Sequence, residues 1–330
     1  MNAERPLRWG VIGTGGIAAD FVTDLDLTAS GEAVAVGSRL QETADRFGDA
    51  HGVARRYASY EALVEDPEVD VVYVATPHPF HRDNALLALR AGKPVLVEKA
   101  FTMNAAEARM VVDEARAAGL FAMEAMWTRF VPSVVQIRDI VAAGELGEIV
   151  AVVADFGVWF PPDPRSRWFA PELGASALLD LGVYLVSFSS MLLGCPDRVL
   201  AMAQSTFTGV DGQTSVILGH ANGSHAVLTC TSRADSPSCA SIVGTEGRIE
   251  VGSPVYAPTS FTFCPRSGDP VCHEAPLEGR GWHYEAEEVA RCLAKGALES
   301  PVMPLDETVS IMETLDAVLA QVGPSLAPAR

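Results

Sequence analysis

Residues Gly13-Thr14-Gly15-Gly16-Ile17-Ala18 constrain this chain more than any other stretch. They follow the apolar run Leu7 to Ile12 and open a helix-like segment reaching Leu25. The pattern fits G-x-G-x-x-A between a strand and a helix. The first glycine permits a tight turn. The second lets the backbone approach a pyrophosphate seated at the positive end of the helix. Gly13, Gly15, Gly16 and Ile17 are therefore candidate cofactor contacts.

The rhythm after this turn predicts the architecture. Apolar runs at Ala33–Gly37, Val69–Ala75, Val95–Val97 and Leu120–Met123 read as strands, with a short one at Tyr57. Helical segments run from Leu40 to Phe47, from a Ser59 cap to Val64, from Pro79 to Arg90, and from Asn104 to about Ala118. Asn104 with Glu107 forms a capping-box-like start. Strands separated by helices of this length predict right-handed βαβ units, hence a Rossmann doubly wound parallel sheet over residues 1–126.

After Met126 the pattern becomes alternating. Ile149–Val158, Val199–Phe207, Thr214–Ala221 and His225–Ser232 read as strands, and Asn222-Gly223 is a strong hairpin signal. Glu246-Gly247 predicts another turn. Helices are expected at Ala175–Leu193, Tyr284–Ala294 and Asp306–Gln321. Residues 127–330 thus predict an α+β domain with a large, mostly antiparallel open sheet. The last helices are candidates to pack back on the first domain.

Composition limits the partners. The 330 residues carry 24 basic and 42 acidic side chains, a net charge of −18. Such a surface disfavours nucleic acid and anionic membranes. The apolar stretch from Ala175 to Gly194 contains Asp180 and small polar residues, which argues against a membrane span. No secretion signal is visible, and the six cysteines include no C-x-x-C pair or metal-like spacing. The expectation is a cytoplasmic protein with free thiols and no metal site.

The end of the second strand bears on cofactor choice. NAD sites carry an acid there for the ribose hydroxyls. This chain has Gly37-Ser38-Arg39, and Arg39 offers a planar charged fork for a 2′-phosphate, with Ser38 adding a hydroxyl. NADP(H) is the expected cofactor, with NAD(H) the alternative.

Two strand ends on the ligand edge of the sheet carry chemistry. One presents Thr76, Pro77, His78 and His81; the next presents Glu98 and Lys99. A third group lies on the apolar helix Ala175–Leu193, where Asp180 and Tyr184 are spaced i, i+4 and share a face. A buried Asp needs partners. The expected arrangement has Asp180 and Tyr184 projecting into a cleft and facing Lys99. Lys99 and Tyr184 suit proton transfer opposite a hydride, since a nearby ammonium favours tyrosinate and partial burial lowers a lysine pKa. The residues do not decide which of the two donates.

The glycine turn, ATPHPFH, AGKPVLVEKA and the helix motif from Asp180 to Tyr184 resemble the Gfo/Idh/MocA oxidoreductase family over essentially the whole chain. MEAMWTRF, ALLDLGVYLVSF and CLAKGALESPVMPL are most similar to its dihydrodiol and NADP-dependent D-xylose dehydrogenase branch. The resemblance implies Lys99 and Tyr184 as proton-transfer residues, supported by Asp180. It implies His78 and His81 near nicotinamide and substrate, and Trp127, Arg129 and Phe156 with Asp180 and Tyr184 on the substrate side. It also implies a homodimer formed through the second sheet. Ala100 stands where the family usually has Pro, which predicts a less rigid presentation of Lys99. Gly174-Ala175 replaces the usual Gly-Gly.

The expected activity is hydride transfer to or from a secondary or anomeric hydroxyl of a polyol, sugar or cyclic diol. A biosynthetic sugar ketoreductase and a non-catalytic NADP-sensing binder are the alternatives. Retention of both Lys99 and Tyr184 speaks against the sensor.

Overall fold

The computed structural model describes residues 5–323. Its early elements alternate: β1 (Leu7–Ile12), α1 (Gly16–Leu25), β2 (Gly31–Gly37), α2 (Gln41–His51), β3 (Arg55–Tyr57), α3 (Tyr60–Val64), β4 (Val71–Val74), α4 (His81–Arg90), β5 (Val95–Glu98), α5 (Ala105–Ala118) and β6 (Ala122–Ala125). The caps follow the sequence. Ser59 Oγ accepts from Ala62 N–H at 3.2 Å, and Asn104 Oδ1 accepts from Glu107 N–H at 2.9 Å. Glu107 completes the box one residue early, accepting from Met103 N–H at 3.3 Å.

The six strands pair in parallel in the order β3-β2-β1-β4-β5-β6. The order switches between β1 and β4, so a ligand crevice is expected outside their carboxyl ends. Every residue of β4, β5 and β6 is buried, as strands covered on both faces require.

The chain continues through α6 (Pro132–Ala142), β7 (Ile149–Gly157), α7 (Val183–Leu193), β8 (Arg198–Ser205), β9 (Asp211–Gly219), β10 (His225–Thr231), β11 (Ala240–Gly244), β12 (Gly247–Val251), β13 (Ser260–Pro265), β14 (Val271–Glu274), α8 (Trp282–Ala294) and α9 (Leu305–Val322). Two compact units result. The first ends at Trp127 and takes in Glu278–Val309; the second comprises Thr128–Leu277 and the chain from Ser310.

Within the first unit, α8 packs on α1. Its N-terminal N–H groups lack a cap of their own and are met by a buried carboxylate from α1. Asp24 accepts from the backbone N–H of Arg280 at 2.9 Å, Gly281 at 2.8 Å and Trp282 at 3.1 Å. An anion at a helix N-terminus satisfies orphan donors and opposes the dipole together.

The second unit holds an eight-stranded sheet in the order β14-β13-β12-β11-β7-β10-β9-β8. Its pairs are antiparallel except β7 with β10, which is parallel. Gly223, at φ +87°, makes the predicted β9–β10 turn, where His220 N–H donates to the Ser224 carbonyl at 3.0 Å. One face of the sheet buries Val152, Phe156, Val216, Leu218 and Leu228, with α7 packed on β7 and β10. The other face carries a cross-strand row, Leu200, Ile217, Val227 and Val153, in register on β8, β9, β10 and β7. These side chains are 64%, 45%, 41% and 47% exposed.

Two differences from the sequence reading stand out. Helix α6 and strands β13 and β14 were not anticipated. Short apolar runs such as SVVQIRDIVA do not separate helix from strand by periodicity. The segment expected as one α-helix from Ala175 opens instead with a π turn, Leu178–Gly182. The long apolar stretch Pro171–Leu193 is 83% buried over its most apolar window, so it forms the interior of its unit.

Candidate active site

The glycine turn lies at the carboxyl end of β1, beside the switch point. Gly13 has φ +113°, and a Cβ there would meet the Ala75 carbonyl oxygen at 2.6 Å. Only glycine lets β1 turn so closely against the end of β4. At Gly15 and Gly16 a Cβ would meet nothing within 4 Å. The backbone over the start of α1 therefore faces open space, and no side chain caps that helix. A cavity of about 280 Å³ lies there, lined by Thr14, Gly15, Gly16, Thr43 and Arg46 among others. These groups fit a dinucleotide pyrophosphate, with N–H donors at the helix start and a guanidinium from α2. Arg46 and Thr43 escaped the sequence reading because α2 reaches the glycine turn only through the fold.

Ser38 is buried, its Oγ 2.5 Å from Thr43 Oγ1. Arg39 is exposed beyond β2 and lies close enough to Tyr60 to act on its phenol. No acid stands between Gly37 and Gln41. A larger cavity, about 860 Å³, sits at the opposite edge of this sheet, beside Leu7, Pro94 and Arg291. It lies at the amino ends of β1 and β5, away from the ligand edge, so size does not mark the site.

The tip of β5 presents Lys99. Four ionisable side chains hold the backbone from Lys99 to Phe101. Lys99 N–H donates to Glu98 Oε2 at 3.2 Å, and Phe101 N–H donates to Glu124 Oε1 at 3.2 Å. His78 Nε2 lies 3.2 Å from the Lys99 carbonyl, and His81 Nδ1 lies 2.9 Å from the Ala100 carbonyl. The Lys99–Ala100 peptide is cis. The looser presentation expected from Ala100 is thus countered by side chains from β5, β6 and the loop before α4. Glu98 also accepts from the Tyr73 hydroxyl.

His81 is 0% exposed, and its other nitrogen lies 2.5 Å from the Thr76 carbonyl. Burial, with nearby His78, pushes its pKa down to about 3. The neutral ring carries one N–H and donates to only one of the two carbonyls, whichever faces the protonated nitrogen. His81, expected near nicotinamide, turns both ring nitrogens toward backbone carbonyls. Thr76 Oγ1 accepts from Asn84 Nδ2 at 3.1 Å, and Pro77 precedes the 3-10 turn His78–Phe80. Trp127 is buried and stacked on Trp282, centroids 4.9 Å apart.

The second unit carries the other candidates. Asp180 lies in the π turn, buried and ion-paired with Arg167. The Arg167 guanidinium lies 4.4 Å over the Trp168 ring, which stacks on Phe160 at 3.7 Å. The turn is anchored by Asp211, which accepts from Leu178 N–H at 2.7 Å and Thr214 Oγ1 at 3.1 Å. Burial pushes the Asp211 carboxyl above the usual range. Gly182 lets the turn meet β10, since a Cβ there would lie 3.0 Å from Cys230 Sγ. π turns of this kind recur at functional sites.

Tyr184 follows one turn later, in an aromatic cluster with Phe156 (5.7 Å, edge-on) and Tyr256 (5.9 Å). Phe156 stacks on Tyr256 at 4.8 Å. Arg129, expected on the substrate side, is buried and donates to Ser187 Oγ and the Ser187 carbonyl, both at 2.9 Å. Arg167, Asp211 and Tyr256 were missed. Each lies on a loop or strand whose partner is distant in sequence. Among the described residues no His, Cys, Asp and Glu group is arranged to hold a metal ion.

A parallel sheet ordered 3-2-1-4-5-6, with an open glycine turn at its switch point, marks a dinucleotide-binding domain. Comparison with known proteins makes this specific. Residues 7–126 match the oxidoreductase family with an NAD-binding Rossmann fold, and residues 134–250 match the GFO/IDH/MocA C-terminal domain. The chain belongs to the Gfo/Idh/MocA oxidoreductase family. It is 39% identical over 327 residues to the trans-1,2-dihydrobenzene-1,2-diol dehydrogenase of Bos taurus, covering 96% of this chain and 97% of that one. The Homo sapiens enzyme of that name is 37% identical over 326 residues, with the same coverage. Among solved structures, an aldose-aldose oxidoreductase from Caulobacter crescentus has the same fold, with a TM-score of 0.89, 22% identity and coverage of 97% and 98%. A 3-ketoreductase from Actinomadura kijaniata, in complex with NADP and TDP-benzene, aligns with a TM-score of 0.84 at 26% identity, covering 96% and 98%.

Proposed function

We propose that this oxidoreductase is an NADP-dependent dehydrogenase acting on a secondary hydroxyl of a cyclic diol or sugar. The observation that carries the reading is the four-sided grip on the Lys99 tip at the carboxyl end of β5, the sheet edge where such folds bind ligands. A structural loop needs no such presentation of a lysine. The names of the relatives supply the substrate class, and the aromatic cluster of Phe156, Tyr184 and Tyr256 offers flat surfaces for a ring.

Arg39, with no acid beside it, would meet the 2′-phosphate, while Gly13, Gly15, Gly16 and Arg46 hold the pyrophosphate. Bound nicotinamide supplies the hydride chemistry. Lys99 and Tyr184 manage the substrate oxygen: in oxidation one takes the hydroxyl proton and the other steadies the developing charge, and in reduction the roles reverse. Asp180, fixed by Arg167, supports the second unit's contribution. The apolar row Leu200–Ile217–Val227–Val153 would be covered by a second copy, giving a homodimer. Six cysteines, all free, suit a reducing cytoplasm.

The test is NADP reduction followed by absorbance, with trans-1,2-dihydrobenzene-1,2-diol, D-xylose and inositols. Lys99→Ala is expected to lose about a hundredfold or more in kcat; full activity in that variant overturns the assignment. Arg39→Ala should raise KM for NADP about tenfold and leave that for NAD nearly unchanged. Equal effects remove the 2′-phosphate role. Sedimentation should show a dimer that Ile217→Asp dissociates, and a native monomer would refute the sheet interface.

A further inference from the structure

Glu285 stands in α8 with 0% exposure, and neither carboxyl oxygen has a hydrogen-bond partner. The charges acting on it are those of Glu98, at the end of β5, and Glu124, in β6. On the α1 side, Asp24 and Asp20 engage the start of α8 at Arg280–Trp282 instead. Three buried carboxyls therefore gather behind the strand tip that carries Lys99. No sequence pattern announced them, since they come from three segments far apart in the chain.

We propose that Glu98 and Glu124, backed by Glu285, form a positioning device that fixes the Lys99–Phe101 backbone. Three buried carboxylates cannot all be charged at close quarters. Glu98 and Glu124 each accept a backbone N–H. Glu285 accepts nothing and bears the proton. Burial and the two neighbouring charges push its pKa well above the ordinary carboxyl range. With the proton on Glu285, Glu98 grips Lys99 N–H and Glu124 grips Phe101 N–H without a third negative charge forcing them apart. Loss of that proton at high pH puts a third charge into the cluster and loosens the grip. None of the three needs to touch substrate. The proposal rests on Lys99 being catalytic only for its effect on turnover, because the backbone grip can be read directly.

The experiment pairs two readouts in full-length protein: hydrogen–deuterium exchange at the Lys99 and Phe101 amides, and kinetics of NADP reduction with trans-1,2-dihydrobenzene-1,2-diol. Glu124→Ala should speed exchange at Phe101 about tenfold, the size expected for one lost hydrogen bond to a charged group. It should lower kcat about tenfold with little change in KM for NADP. Glu285→Gln mimics the protonated acid. It should match the native protein at neutral pH, and at alkaline pH it should keep kcat and the amide protection factors at Lys99 and Phe101 where the native protein loses both. Glu124→Gln, which keeps an acceptor oxygen, should restore most of the protection and guards against misfolding of the alanine variant. Unchanged Phe101 exchange in Glu124→Ala, or a Glu285→Gln profile that still falls with the native one, overturns the proposal. If Lys99→Ala stays active while the exchange results hold, the catalytic reading fails and the positioning device stands.

Discussion

Asp24 and Glu285 are two buried carboxyls that meet the same helix within one turn of each other, at 3% and 0% exposure. The first lies across the amino end of α8 and takes three backbone N–H groups. The second rises from the helix itself and faces two other carboxyls. Burial is nearly identical, yet the physical solutions are opposite. A ring of donors stabilises an anion; a ring of acceptors forces a neutral acid. What surrounds a buried acid, more than how deeply it sits, sets its charge.

The contrast breaks first at Asp24. Asp24→Ala leaves three backbone N–H groups, two of them buried, without an acceptor and should cost about 3 kcal/mol, read as a fall in Tm. Asp24→Asn keeps one acceptor oxygen and should cost about half as much. Removing the other carboxyl should have the opposite sign. Glu285→Leu exchanges an unpartnered acid for an apolar group of similar volume and should stabilise by about 1 kcal/mol.

The smallest effect sharpens the comparison through pH. The native pKa of Glu285 lies above its unfolded value, so the folded state holds a proton that the unfolded chain releases above about pH 4.3. Its contribution to stability is therefore lost as pH rises. Asp66 and Asp70 behave in reverse. Hydrogen bonds from the Glu68 N–H, the Tyr57 hydroxyl and Arg55 hold Asp66, and those from Arg5 and Arg8 hold Asp70, below the usual range and outweigh their burial. Their contribution is present at neutral pH and lost as pH falls through the native values. Tm followed upward from about pH 5 should carry a decline with rising pH from this group, and Glu285→Gln should flatten that decline. An unchanged slope would assign it elsewhere.

The same distinction explains what could be read from the chain. The glycine turn, the Ser59 and Asn104 caps and the Asn222-Gly223 hairpin are local, so six residues or fewer carry each signal. Asp180 and Tyr184 were legible as a pair because helical spacing is regular, although the π turn beneath them was not. Asp24, Glu124 and Glu285 left no trace. Asp24 and the N–H groups it binds lie some 256 residues apart in sequence, and no periodicity reports such a pairing. His81 shows the converse: its place on the ligand edge was readable, whereas the two carbonyls that claim its ring were not.

The first unit is interrupted in the chain. Its strands are complete by Ala125, but α8 arrives only after residues 128–277, all of which belong to the second unit. At a ribosomal pace of about 5–20 residues per second, that insertion occupies roughly eight to thirty seconds of synthesis. Throughout that interval the newborn Rossmann sheet has an unfinished flank and Asp24 has no helix to cap. A nascent chain halted before Glu278 should expose this flank to chaperones, while release of the finished polypeptide closes it.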